Sequence, residues 1–167
     1  MTSLNLKNIV NNLTDTFLEA GKIAKEIRKK GIKITIKPDK SPVTNGDQAV
    51  DEMLRKKIKS ITPNITIISE ETFNPNDKIE YKDFWLIDPI DGTRDYIKNR
   101  DEYTINAALI INLMPVAGII YAPSKNRLFF SYGKNLAYEI NNEEKKSLDC
   151  KKINSKEIIG LENSNST

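Results

Sequence analysis

The chain has 167 residues, enough for one domain with a real core, and its 26 Lys and Arg against 23 Asp and Glu leave a net charge of +3. That mild balance, with the basic residues scattered rather than striped, argues against a long nucleic acid as partner. Histidine is absent and cysteine occurs once, as Cys150, which excludes Ser–His and Cys–His nucleophiles, most zinc sites and any internal disulfide.

From about Leu4 to Lys30, apolar residues at Leu6, Ile9, Val10, Leu13, Phe17, Ala20, Ala24 and Ile27 fall at helical spacing, with Gly31 as a stop. Ile32 to Lys37 alternates isoleucine with lysine or threonine and predicts a half-exposed strand. Pro38 to Pro42 reads as a loop, and Thr44 opens a second helix carrying Val50, Met53, Leu54 and Ile58 on one face. Ile65 to Ile68 predicts a short buried strand ending at Ser69-Glu70-Glu71, followed by a polar surface loop from Thr72 to Lys82. A fully apolar strand, Phe84 to Ile87, then ends on Asp88 and Asp91, and a short helix follows from about Gly92 to Lys98.

From Tyr103 onward the pattern is a meander, with strands at Tyr103 to Ile111, Pro115 to Tyr121, Arg127 to Tyr132 and Leu136 to Ile140. Asn, Gly, Pro and Ser punctuate the turns between them, and the end of the chain, Leu161 to Thr167, is a polar tail. The expected fold is α+β: a layered sandwich of two N-terminal helices packed on a mainly antiparallel sheet, forming a single domain over residues 1–160 with a tail over 161–167. No run reaches the roughly 18 apolar residues of a membrane span. No basic patch leads into an apolar run at the N-terminus, so the expectation is a cytoplasmic protein without a signal peptide.

Chemistry concentrates at the ends of the predicted elements. Asp88 and Asp91 after one strand, Glu70 and Glu71 after another, and Asp47 in the first turn of the second helix would repel one another without a counter-ion. Each has a plain structural alternative: Asp47 as half of a capping box with Thr44, Glu70 and Glu71 as solvated loop charges, Asp88 and Asp91 as a strand end and a helix cap. If the two strands are neighbours, Glu70, Asp88 and Asp91 converge into a set that suits Mg²⁺, with water and substrate phosphate completing the shell. Gly92 and Thr93 add a helix N-terminus whose free N–H groups suit a phosphate. Metal beside phosphate is the chemistry of phosphate ester hydrolysis, and two ions about 4 Å apart supply hydroxide without a histidine base. Lys37, Lys40, Arg94, Lys98 and Arg100 could help hold phosphates but read first as surface charges.

The run Asp88-Pro89-Ile90-Asp91-Gly92-Thr93 resembles the D-P-x-D-G-T signature of the inositol monophosphatase superfamily of Mg²⁺-dependent, lithium-sensitive phosphomonoesterases. Within it, Lys37-x-Asp39-x-Ser41-Pro42-Val43-Thr44-x-x-Asp47, Ser69-Glu70-Glu71 and Thr93 to Ile97 followed by Glu102 to Ile110 look like the CysQ-type 3′(2′),5′-bisphosphate nucleotidases, as does Val116 to Pro123. The resemblance implies that Glu70, Asp88, Asp91 and the carbonyl of Ile90 hold the metals, two or three Mg²⁺ ions in the family. It implies that Thr93 and Asp47 take a proton from the attacking water, which Glu70 orients, and that Gly92 and Thr93 N–H groups grip the phosphate, so that Glu70, Ile90, Asp91, Gly92 and Thr93 line the substrate. The implied reaction takes the 3′-phosphate from 3′-phosphoadenosine 5′-phosphate, a by-product of sulfate assimilation, to leave AMP and phosphate. The family continues into a C-terminal α/β half carrying a W-D-x-x-A-G motif that supplies a further metal ligand. The single tryptophan here is Trp85, and nothing in the chain matches that motif. The sequence therefore reads as a truncated member with one metal site short of a ligand. The alternatives that follow are an inactive or metal-binding fragment, a homo-oligomer or pairing with a missing second half, and inositol monophosphatase activity. Peripheral attachment to the inner membrane is an expectation from the family only.

Overall fold

The computed structural model describes residues 4–73 and 81–149. Two long helices cover one face of a seven-stranded sheet, and a short two-stranded ribbon sits beside them. Helix α1, Leu6–Lys30, is capped by Asn5, whose side chain accepts from the Asn8 N–H, and it ends at Gly31. Its stripe of Ile9, Val10, Leu13, Phe17, Ala20 and Ala24 is buried, as the helical spacing predicts. Helix α2, Asn45–Ile61, buries Val50, Leu54 and Ile58.

Strands β1, Ile34–Ile36, and β2, Pro42–Thr44, pair antiparallel and apart from the main sheet. The predicted half-exposed strand is thus shorter and fully exposed, because β1 pairs only with β2 and rests no face on the core. β2 replaces the end of the predicted loop.

The main sheet runs in the order β3 (Thr66–Ser69), β4 (Phe84–Asp91), β5 (Thr104–Ile111), β6 (Met114–Ala122), β7 (Arg127–Ser131), β8 (Ala137–Asn141) and β9 (Glu144–Leu148). Every pairing is antiparallel except β3 with β4, which is parallel and brings Ser69 opposite Ile87. The polar loop predicted between β3 and β4 lies partly outside the described residues, as do Cys150 and the predicted tail.

β4 differs from expectation in a way that matters for the site. It continues through Asp88 to Asp91, with a bulge between those two residues against β5, so both acids belong to the strand. A one-turn helix α3, Thr93–Ile97, follows. β9 was not expected, since Glu-Lys-Lys-Ser-Leu carries no apolar alternation; it is an exposed, charged edge strand.

Alternation along the strands divides the sheet. Trp85, Ile87, Ile105, Leu109, Ile119 and Leu128 face the helices and are buried. The Trp85 indole N–H donates to Thr62 Oγ1 at 3.0 Å, and the Tyr96 hydroxyl donates to the Ala24 carbonyl at 2.6 Å. The opposite face has no helix on it among the described residues. There Leu86, Asp88, Asn106, Gly118, Ile120 and Phe129 border a shallow trough of about 450 Å³.

Candidate active site

At one end of the sheet, three segments distant in sequence meet. The parallel β3–β4 register carries on past β3 through a hydrogen bond from the Glu70 N–H to the Ile87 carbonyl at 3.0 Å. Glu70 therefore stands beside Asp88 and on the same side of the sheet, opposite the helices. The strand adjacency on which convergence depends is present.

Asp88 is the most perturbed of these groups. Its Oδ1 is buried and accepts no hydrogen bond among the described residues. Burial first, then the charge of Glu70 and a hydrogen bond with it, then Asp91 and Asp47, push its carboxyl up to about 8. A buried oxygen without a donor, crowded by like charge, fits a cation better than it fits any side chain nearby.

Asp47 is buried at the start of α2, where it serves as a cap and also contacts Thr93. It completes a capping box: its Oδ2 accepts from the Thr44 N–H at 2.8 Å and from the Thr44 hydroxyl at 2.5 Å. Its other oxygen, Oδ1, lies 3.2 Å from the Thr93 hydroxyl, which also lies 3.0 Å from the Ile90 carbonyl. Thr93 has one proton to donate and two acceptors in range. Burial raises the Asp47 carboxyl, while the hydrogen bonds from Thr44 and then Thr93 pull it back.

The turn between Asp91 and Thr93 requires glycine. Gly92 has φ +91°, and a Cβ there would lie 2.6 Å from the Glu102 carbonyl oxygen. Gly92 also accepts from the Asp95 and Tyr96 N–H groups at 2.9 Å, which starts α3 directly after the site.

Among the described residues, no three acidic side chains are gathered as a ready-made cation cage. The reason lies in what each carboxylate finds instead. Glu70 is drawn to the Lys37 ammonium at 3.4 Å, and Asp91 to the Asn106 amide at 3.4 Å. Lys37 pairs more closely with Glu71, at 3.0 Å. Burial lowers the Lys37 ammonium, but the hydrogen bond and charge of Glu71, with help from Glu70, outweigh it and hold the proton on. The Glu71 carboxyl is raised by its own burial, only partly offset by Lys37. The two shifts share a sign for different reasons: the neighbouring acids hold the proton on Lys37, and burial raises Glu71. The Glu70 side chain is half exposed and lies between the Lys37 ammonium and the Asp88 carboxyl. The donor set of Glu70, Asp88, Asp91 and the Ile90 carbonyl is all hard oxygen, which fits Mg²⁺.

Sequence reasoning kept Lys37 outside the site and did not single out Asn106. Lys37 rests on Glu71 and Glu70. Asn106 stands opposite Asp88 in the β4–β5 register. Its signal in the sequence was a lone amide in the otherwise apolar run from Ile105 to Ile111.

Comparison with known proteins gives a consistent picture. A model described as the inositol monophosphatase family matches residues 5–167. A 3′(2′),5′-bisphosphate nucleotidase CysQ of Buchnera aphidicola is 33% identical, over 92% of this chain and 60% of its own length. The crystal structure of CysQ from Bacteroides thetaiotaomicron, a bacterial member of the inositol monophosphatase family, superposes with a TM-score of 0.59 at 28% identity, covering 83% of this chain and 50% of that one. An IMPase/NADP phosphatase complexed with Mg²⁺ and phosphate superposes with a TM-score of 0.71 at 20% identity, over 83% of this chain and 53% of that one, which shows a shared fold. The chain spans about half to three-fifths of the length of these relatives.

Proposed function

The chain belongs to the inositol monophosphatase family, and from that premise we propose that it is a Mg²⁺-dependent phosphomonoesterase site of the bisphosphate nucleotidase type. The proposed substrate is 3′-phosphoadenosine 5′-phosphate, which water converts to AMP and inorganic phosphate. The observation that carries this reading is the buried Asp88 oxygen with no donor, crowded by the charges of Glu70, Asp91 and Asp47.

Glu70, Asp88, Asp91 and the Ile90 carbonyl would hold the cation. When bound, Mg²⁺ supplies an acidified water and neutralises charge on the phosphate. The chain's own part is positioning and proton transfer. With the Ile90 carbonyl engaged elsewhere, the Thr93 hydroxyl gives its proton to Asp47 Oδ1, and its oxygen is free to accept one from the attacking water. Glu70 orients that water. The N–H groups of Gly92 and Thr93 receive the phosphate oxygens. The pocket's acidic, part-buried surroundings favour a proton resting on Asp47 after transfer, since burial already raises that carboxyl.

The CysQ relatives support the substrate class, and the expected setting is sulfur metabolism. Phosphate release from 3′-phosphoadenosine 5′-phosphate by the full chain, with and without Mg²⁺, tests it. Activity that needs Mg²⁺, is inhibited by Li⁺ and is lost in Asp91→Asn upholds the reading. Release unaffected by Asp91→Asn, or none at all, sinks it. Inositol monophosphate in place of the nucleotide separates the two branches of the family. Lys37, 3.4 Å from Glu70, competes with a cation for that carboxylate and favours a second reading, a chain whose Mg²⁺ site does not turn substrate over. Calorimetric uptake of Mg²⁺ with no phosphate release identifies that case.

A further inference from the structure

Asp51 lies one helical turn beyond Asp47 on α2, on the same face, and it is almost fully enclosed. Its two oxygens are both used. Oδ1 accepts from the Ser69 hydroxyl at 2.5 Å, and Oδ2 accepts from Arg55 Nε at 2.7 Å. Ser69 is the last residue of β3 and has no exposed surface. Its hydroxyl oxygen in turn accepts the Glu71 N–H at 3.4 Å, while the Glu70 N–H is held by the Ile87 carbonyl at 3.0 Å.

We infer that Asp51 and Ser69 are a positioning pair, which fixes the Ser69-Glu70-Glu71 turn so that Glu70 stands beside Asp88. This rests on the reading of Glu70 as a metal ligand. A buried carboxylate next to an acidic site raises local repulsion, so a purely structural brace would be better made from a neutral group. What a carboxylate adds is direction. As an acceptor with no proton of its own, it obliges the Ser69 hydroxyl to donate toward α2, which leaves the hydroxyl's lone pairs for the Glu71 N–H. Arg55 pairs with the outer oxygen at 2.7 Å and holds the carboxylate in place. Helix α2 thereby braces both halves of the site from one edge: Asp47 reaches the Thr93 turn, and Asp51 reaches the Glu70 turn. Groups that orient a metal ligand in this way tune affinity although they never touch the cation.

The test is calorimetric titration of Mg²⁺ into the full chain, with each variant shown to be folded at the working temperature by circular dichroism. Ser69→Ala is expected to weaken Mg²⁺ binding roughly 10- to 100-fold, whereas Ser69→Thr, which keeps the hydroxyl, stays within about threefold. Asp51→Ala combined with Ser69→Ala is expected to bind no more weakly than Ser69→Ala alone, because the pair acts as one unit. Thr62→Val is the control for packing, since it removes a buried hydroxyl at the end of α2 that bonds Trp85 of β4 and no acid of the site. It is expected to lower the melting temperature while leaving Mg²⁺ affinity unchanged. Amide exchange at Glu71 in the metal-free chain is expected to speed up in Ser69→Ala and not in Thr62→Val. Equal Mg²⁺ affinity in the unmodified chain and in Ser69→Ala would overturn the positioning role alone. An unmodified chain that takes up no Mg²⁺ would overturn the cation site and this inference with it.

Discussion

Asp88 places a protonation equilibrium at the centre of the site. Its carboxyl moves from an ordinary 3.8 to about 8, so the folded chain binds this proton more tightly than the unfolded chain does. The stability it contributes is full below the unfolded value and is lost as pH rises through the folded one. The urea midpoint of the metal-free protein is therefore expected to fall between about pH 5 and pH 8, and Asp88→Asn to flatten that slope. Saturating Mg²⁺ is expected to restore the midpoint at the alkaline end, because the cation takes the proton's place. A midpoint that climbs over the same range, with Asp88→Asn indifferent, contradicts this account. The acids themselves were legible in the sequence, because Asp-Pro-Ile-Asp-Gly-Thr interrupts an apolar run. Their partners were not. Lys37 and Asn106 meet the site only through the folded register of separate elements, and a chain read in one dimension does not display that.

At the level of elements, the cap of α2 is also part of the site. Thr44 donates its hydroxyl proton and its N–H to Asp47 Oδ2, and its oxygen receives the Gly46 and Asp47 N–H groups. Thr44→Ala removes a cap, costing about 1 kcal/mol, and leaves the buried Asp47 with fewer donors, for a total loss of about 1 to 3 kcal/mol. Urea unfolding of the variant measures it, and a midpoint unchanged from the parent would show that the box is incidental. The two long helices and most of the meander could be read directly from the sequence, since a buried face imposes its period on the chain. β2 and β9 could not. β2 spans Pro42–Thr44, too short for alternation to show, and β9, at the edge of the sheet among the described residues, opens on Glu144, Lys145 and Lys146 rather than on an apolar alternation. The end of β4 was misplaced for a related reason: Pro89 and two carboxylates look like a stop, yet a bulge lets the strand absorb them.

For the molecule as a whole, one sheet face is covered and the other is bare among the described residues. On the bare face Leu86 and Ile120 are about half exposed, at 50% and 46%. The chain is expected to bind an apolar dye such as ANS when folded, and Leu86→Lys with Ile120→Lys to reduce that signal with a stability change within about 0.5 kcal/mol. Undiminished dye binding in the double variant would place the apolar surface elsewhere. The parallel pairing of β3 with β4 carries a different consequence. Side chains alternate sides along a strand, so a slip of a single position between these two would turn Glu70 inward among the helices and Ser69 outward. Only the native alignment sets Glu70 beside Asp88. The divalent ion would then act as a proofreader of topology, favouring correctly aligned molecules during refolding over those trapped one step out.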